Sequence, residues 1–453
     1  MLRRKAYDEM LRWSRERSRS TALFVAGARQ IGKSYLVREL GRAEYDLLVE
    51  INLVDNTAAR EALAGAVDAQ DLIRRISLFS PAPLAQGRTL VFIDEVQELP
   101  DVMTMAKFLV EDGRYAFAFS GSLLGTELKQ VRSYPVGSVT EVPMFPLDFE
   151  EFCWAASVSP GALDAVRAAC STLDPLPDYL HEALLRYFRT YVAVGGMPEV
   201  VQRFFDDGGD FAAAYDVQVE LVRSYRNDIS KYAGKRALDV GAIFDQLSVQ
   251  LNADSRRFVL NSIDDAARYE RYSRDFVWLV NAGVGLKADL VREPKCPLAA
   301  TARPGHFKLY QSDTGMLVAR YGRDVARAVY LDDPHPNLGA VFENVVAQQL
   351  AAQGSPLFYY MNRKRGEVDF VVPAPQGQVL PIEVKSGRNA RAHAAIDHLL
   401  ASEEYRVPRG VVLSRLNFES DGKVAYLPWY ATFCLPQFTQ APVEPLRAEL
   451  PKI

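Results

Sequence analysis

Apolar positions along this chain fall into two periods, and the change between them marks out its organisation. In the first 150 residues, short apolar runs at 23–26, 89–93 and 115–119 alternate with stretches of helical period. Short apolar strands alternating with helical stretches predict an α/β domain. The stretch 143–152 (Pro-Met-Phe-Pro-Leu-Asp-Phe-Glu-Glu-Phe) predicts an exit from the sheet, because prolines remove ladder donors.

Residues 151–235 keep a helical period, broken once by Gly195-Gly196-Met197-Pro198, where glycine and proline together mark a tight turn. A small helical lid is the natural reading. From 236 to 335 the pattern gives three short helices, the last ending at 276–283, and then strand-like segments, the order of a winged helix. From 336 onward it predicts a helix over 338–350, apolar at Val341, Phe342, Val345, Val346 and Leu350. Strands follow at 357–360, 367–372 and 379–384, then a helix over 390–402 and strands at 410–413 and 424–427. The expected domains are therefore 1–150, 151–235, 236–335 and 336–453, and a chain of 453 residues is long enough for several cores.

Composition narrows the function classes. No apolar run approaches the roughly 20 residues of a membrane span, and residues 1–20 are charged throughout, unlike a secretory signal. A cytoplasmic protein is expected. Cys153, Cys170, Cys296 and Cys434 form no CxxC pair and the histidines are scattered, so neither zinc nor a disulfide framework is suggested. A net charge of −4 lacks the basic excess of a dedicated DNA binder, so nucleic-acid contact would need local patches.

The strongest chemical signal is Gly27, Ala28, Arg29, Gln30, Ile31, Gly32, Lys33 and Ser34, a complete G-x-x-x-x-G-K-[ST] between an apolar strand and a helix. The glycines let the backbone curl so that its N–H groups surround phosphates, with the helix N-terminus adding positive potential. These residues and the following Tyr35 are the candidate ATP-binding set, with Lys33 on the phosphates and Ser34 on magnesium. Downstream, Leu90-Val-Phe-Ile runs into Asp94 and Glu95, placing Asp94 to hold the metal and Glu95 to polarise the attacking water. The run 115–119 ends in Ser120-Gly121-Ser122, where Ser120, with Ser122 as the alternative, is the candidate phosphate sensor against a plain turn. Arg132 and Arg226 are the candidates for an arginine finger.

A second constellation lies near the C-terminus. Residues two apart on a strand share a face, so Glu367 pairs with Asp369 and Glu383 with Lys385; a hairpin would bring these together, and Glu343 could complete the cluster. Such carboxylates hold divalent metals for attack on phosphorus, the pattern of PD-(D/E)xK nucleases, whereas the competing reading is a sheet face with ordinary salt bridges. Arg363, Lys364, Arg365, Lys385, Arg388 and Arg391 add a basic patch suited to a phosphate backbone.

Taken together, the chain resembles the bacterial and archaeal AAA-type ATPases that carry a conserved C-terminal domain of unknown function. The resemblance rests on residues 27–34, Phe-Ile-Asp-Glu-Val-Gln at 92–97, Ser-Gly-Ser at 120–122, Pro-Leu-Asp-Phe-Glu-Glu-Phe at 146–152 and Gly-Gly-Met-Pro-Glu at 195–199. It extends to Tyr-Arg-Asn-Asp-Ile-Ser-Lys-Tyr at 225–232, Glu343, Gly-Glu-Val-Asp-Phe at 366–370 and Ile-Glu-Val-Lys-Ser-Gly at 382–387. It implies an α/β multi-domain chain: a P-loop AAA-type ATPase core with helical lid, a winged-helix module and a C-terminal restriction-endonuclease-like α/β domain. One departure is Ser138, where relatives tend to carry a basic residue. The expectation is an ATP-hydrolysing DNA-binding protein that uses ATP and Mg2+, assembles as a homo-oligomer and recognises structured or branched DNA (junctions, forks) in repair or recombination. The alternatives are an ATP-gated DNA nuclease and a nucleotide-switched protein scaffold.

Overall fold

The apolar runs of the N-terminal region become the inner strands of one parallel sheet. Its spatial order is Leu47–Asn52, Thr89–Asp94, Ala116–Gly121, Ala22–Gly27, Val139–Met144, and all four neighbouring pairs are parallel. Every residue of Thr89–Asp94 and Ala116–Gly121 is buried, which is why these strands read as unbroken apolar stretches. The two edge strands are mixed in burial and gave no comparable run. One expectation changes here. Pro143 does not leave the sheet; it lies within Val139–Met144, opposite Ala26. An edge strand tolerates proline because the missing N–H can face away from the ladder, so the exit begins only after Met144.

The computed structural model describes residues 2–121, 137–253, 255–263, 268–333, 338–387 and 389–440. The chain forms two compact units: Met1–Val158, Arg189–Lys287 and Leu309–Pro336 make the first, and Ser159–Phe188, Ala288–Lys308 and Asn337–Ile453 the second. Among the described residues no helix is long and apolar enough to cross a membrane.

In the first unit the segment after the sheet is tightly fixed. Asp148 caps helix Phe149–Ala155 in a reciprocal capping box with Glu151. Buried Arg4 reaches Glu151 at 3.2 Å and donates to the carbonyl of Ile31 at 3.1 Å, tying the N-terminal segment to the nucleotide-loop candidate. The Gly195–Pro198 break is a buried turn rather than a surface loop. Gly196 donates its N–H to Asp313 Oδ2 at 2.6 Å, and its carbonyl accepts the N–H of Leu147 at 2.7 Å. Helix Pro198–Asp206 then starts with proline in its first turn, where no N–H is needed. Helices Phe211–Tyr232, Ala237–Leu251 and Tyr269–Asn281 follow, before strands Gly285–Val291 and Ala302–Gln311.

The C-terminal region contains a five-stranded mixed sheet, ordered Phe370–Pro373, Val379–Val384, Gly410–Ser414, Val424–Pro428, Glu419–Asp421. A four-stranded sheet has the order Ala302–Gln311, Gly285–Val291, Phe358–Asn362, Gly366–Val368. The single strand expected over 367–372 is therefore two. Gly366–Val368 pairs with Phe358–Asn362, and Phe370–Pro373 pairs with Val379–Val384, so the chain changes sheets at Asp369. Asp369 makes the switch possible: its side chain accepts the N–H of Val384 at 2.8 Å. The helix expected over 390–402 is shorter, Ala394–Leu400, whereas Gly339–Ala352 matches the expected helix and is buried through Leu350, including Glu343, Asn344, Gln348 and Gln349.

The Gly196 turn gives a direct test. A Cβ at this position would stand 2.1 Å from the Leu147 carbonyl oxygen and 2.8 Å from its nitrogen, both backbone atoms that cannot swing aside. Gly196→Ala should cost about 3 kcal/mol, at the upper end of overpacking penalties, read as a lower denaturant midpoint. An unchanged midpoint would mean that the turn opens freely.

Candidate functional site

Parallel strands of matched length end at the same edge, and there the first unit assembles its chemistry. Ala22–Gly27 turns into helix Lys33–Glu44 through the glycine-bounded loop. Gly27 has φ +152°, and a Cβ on it would meet the Met144 carbonyl oxygen at 2.3 Å and Ile31 Cδ1 at 2.6 Å. Gly32 has φ +90°, a conformation that L side chains rarely adopt, immediately before the helix. Lys33 is buried and donates to the carbonyls of Gly27 at 3.1 Å and Ala28 at 2.7 Å. Burial pushes its ammonium pKa down, while Glu95 and Asp94 pull the other way.

Asp94 is the centre of the arrangement and is 2% exposed. Its Oδ2 accepts from Ser34 Oγ at 2.8 Å and Asn52 Nδ2 at 3.1 Å. Its Oδ1 accepts from the Ser120 hydroxyl and from the N–H of Glu95 at 3.1 Å. Glu95 itself sits in the left-handed region at φ +56°, ψ 49°, a costly conformation for a non-glycine residue, and its carboxylate accepts from Gln97. Strained residues of this kind cluster at working sites. A cleft of about 530 Å³ opens beside the loop, lined among others by Tyr35, Glu95, Pro198, Glu199 and Gln202. That volume suits a cofactor-sized ligand.

The structure thus brings Gly27 to Ser34, Asp94, Glu95 and Ser120 together at one edge. Ser120, expected as a phosphate sensor, is bonded to Asp94. Arg226 pairs with Asp245 at 3.1 Å, while Ser122 and Arg132 lie outside the described residues. Asn52 escaped the sequence reading because it ends an edge strand without an apolar signature, and Pro198, Glu199 and Gln202 because only the fold carries them to the cleft. A loop in which Gly27 leaves no room for a Cβ and Gly32 holds φ +90°, with a hydroxyl and a carboxylate oxygen side by side, fits a nucleotide and a hard divalent cation.

The C-terminal candidates meet around a residue that the sequence reading missed. Lys308 is fully buried, and its Nζ lies 2.7 Å from Glu343, 2.7 Å from Glu367 and 3.8 Å from Asp369. It also stands 5.1 Å from the centre of the Tyr359 ring. Glu383 and Lys385 pair with each other. Burial pushes the Glu383 carboxyl pKa up; Lys385 opposes this and nearby Asp369 adds to it. Among the described residues, no group of three His, Cys, Asp or Glu side chains is arranged to hold a metal ion. Lys308 was not identified because its strand falls in a region read as a different module. Of the basic patch, Arg363 and Lys364 are exposed, Arg365 stacks at 4.9 Å on Tyr405, Arg391 pairs with Glu419, and Arg388 lies outside the described residues.

Three families match parts of the chain. Residues 19–153 match AAA_14, described as an AAA domain. Residues 185–326 match a domain of unknown function (DUF8612), and residues 338–430 another (DUF4143). No curated protein sequence matches. Among solved structures, the chain is similar to C. elegans PCH-2 at 15% identity, covering 48% of this chain and 60% of that one with a TM-score of 0.25. Domain III of the Thermotoga maritima replication initiation protein DnaA gives 15% identity, 47% and 91% coverage, and a TM-score of 0.25. The Thermotoga maritima RuvB Holliday junction branch migration motor gives 13% identity, 63% and 89% coverage, and a TM-score of 0.28. This chain spans less than two thirds of the PCH-2 chain, and at such scores the assignment rests on the family match and the site. The N-terminal part of the chain is an AAA-type P-loop ATPase domain.

Proposed function

We propose that this chain hydrolyses ATP with magnesium and acts on DNA, preferring structured or branched forms such as forks and junctions, in repair or recombination. The observation that carries the ATPase reading is the buried Asp94 carboxylate, joined to Ser34, Asn52 and Ser120 at the mouth of a glycine cradle. Bound magnesium would offset charge on the phosphates. In this reading Ser34 and Asp94 hold the ion, Lys33 and the N–H groups of residues 27–34 hold the phosphates, and Tyr35 lines the cleft beside them. Glu95 accepts a proton from the attacking water, and Ser120 keeps Asp94 oriented.

The DNA part of the proposal draws on local charge in a chain of net charge −4. Arg268, Arg271 and Arg274 recur at every third position, all exposed, at the start of and along helix Tyr269–Asn281. The two short helices and strand pair around them suit the winged-helix reading, and the helices over 151–235 suit the lid. A homo-oligomer in the cytoplasm belongs to the same reading, in keeping with the assemblies that the resembled ATPases form.

For the C-terminal region, which we read as endonuclease-like from its expected order of helices and strands, we favour holding over cutting. Lys308 supplies positive charge among Glu343, Glu367 and Asp369 from within the protein, where a nuclease would use a metal. Exposed Arg363 and Lys364 then offer contacts to a phosphate backbone.

Three experiments test these readings. ATP turnover should rise with forked or four-way DNA over plain duplex or single strands, and Glu95→Gln should lower it by about 10²–10⁴-fold, the usual worth of general-base catalysis. Turnover indifferent to every DNA would shift the case to the protein-scaffold alternative. Lys308→Met should cost about 3–5 kcal/mol of stability, because it leaves buried carboxylates uncompensated. DNA incubated with the wild-type protein and manganese should stay intact; cleavage abolished by Asp369→Ala would establish the nuclease instead.

A further inference from the structure

The motif Tyr225-Arg-Asn-Asp-Ile-Ser-Lys-Tyr232 has no part in the chemistry above, yet it forms the last turns of helix Phe211–Tyr232 and grips the phosphate loop. The Tyr225 hydroxyl donates to the carbonyl of Arg29 at 2.6 Å. Burial pushes the Tyr225 phenol pKa well up, so it stays protonated and remains a donor. The Arg29 guanidinium bonds Asp228 at 2.9 Å and lies 4.3 Å from the centre of the Tyr232 ring. Gln30, the next residue, reaches Ser224 at 3.4 Å. Residues 29 and 30 are therefore held through both backbone and side chains by one face of one helix.

This grip acts on the part of the loop that most needs it. Gln30 has φ +62°, which a non-glycine residue keeps only when its surroundings dictate it. The peptide joining Arg29 to Gln30 is planar and trans, so its C=O and N–H point in opposite directions. Fixing the carbonyl toward Tyr225 turns the Gln30 N–H away from the helix, to the side where Gln30 lines the cleft. Turned that way, the N–H joins the anion-binding concavity of the loop. The same helix also carries Gln218, whose amide donates to the carbonyls of Ala193 at 2.9 Å and Val194 at 2.7 Å. Those carbonyls directly precede the Gly195–Pro198 turn, and Pro198 also lines the cleft. One helix thus contacts both the loop and the segment that leads to Pro198.

We propose that Tyr225 and Asp228 are positioning residues of the nucleotide site, fixing the Arg29–Gln30 peptide so that its N–H is presented to the phosphates. The inference rests on the ATPase reading above. It makes a claim about binding rather than chemistry, because an N–H that contacts the phosphates throughout the reaction strengthens ground state and transition state alike.

The test measures ATP affinity by calorimetry, the KM and kcat of turnover, and the melting temperature of the full chain. Tyr225→Phe removes one oxygen and keeps the ring; Asp228→Asn releases Arg29 and leaves Tyr225 in place. Each should weaken ATP binding and raise KM by about tenfold, the scale of one lost hydrogen bond. In each, kcat should stay within about twofold and the melting temperature should fall by no more than a few degrees, the cost of one lost hydrogen bond. If both variants bind ATP as tightly as wild type, or if they melt earlier and lose kcat with KM unaltered, the helix is only scaffolding and the proposal falls. A wild-type protein that binds no ATP would overturn the ATPase reading itself, which separates that failure from this one.

Discussion

Everything at the nucleotide end of this protein depends on the constraint of burying one carboxylate. A charge-bearing group taken out of water costs several kcal/mol unless hydrogen bonds replace its hydration. Asp94 meets that requirement with donors from three separate places: Ser34 at the start of the loop helix, and Asn52 and Ser120 on the strands to either side, together with the N–H of Glu95. Those donors arrive only if the strands end level. The register that pairs Asn52 with Asp94, and Phe119 with Ile93, is therefore also the geometry of the site. Slipping one strand by a residue would turn its polar end to the other face and leave Asp94 without partners.

The two units treat their carboxylates in opposite ways. Around Asp94 the hydrogen-bond partners are hydroxyls, an amide and a backbone N–H, all neutral, while the nearby Lys33 ammonium acts on it through space. Around Glu343, Glu367 and Asp369 the partner is an ammonium group, and much of the charge is compensated within the protein. Neutral donors keep a carboxylate attractive to an incoming cation, whereas a buried lysine removes the reason for one to enter.

How much of this could be read from sequence follows from burial. Inner strands covered on both faces are continuous apolar runs, so 23–26, 89–93 and 115–119 were legible, and the glycine-bounded loop announced itself because its backbone geometry demands particular residues. Edge strands have one wet side, which is why Leu47–Asn52 and with it Asn52 went unread, and why Pro143 was taken to end a strand that it joins. Asp369 was read within one strand because alternation of residues cannot reveal a change of sheet. Lys308 had no local signal at all: a lysine in a strand is ordinarily a surface residue, and only its three distant partners mark it as buried.

Both units are built from segments that interleave along the chain. A ribosome making this protein from its N-terminus would release the sheet and the phosphate loop first. The parts that hold them, Tyr225 and Asp228 on their helix and Asp313 beneath the Gly196 turn, come much later. Nascent chains would thus carry an intact loop sequence long before its geometry is enforced. Any nucleotide capture by the loop should then wait until residues 225–313 have emerged.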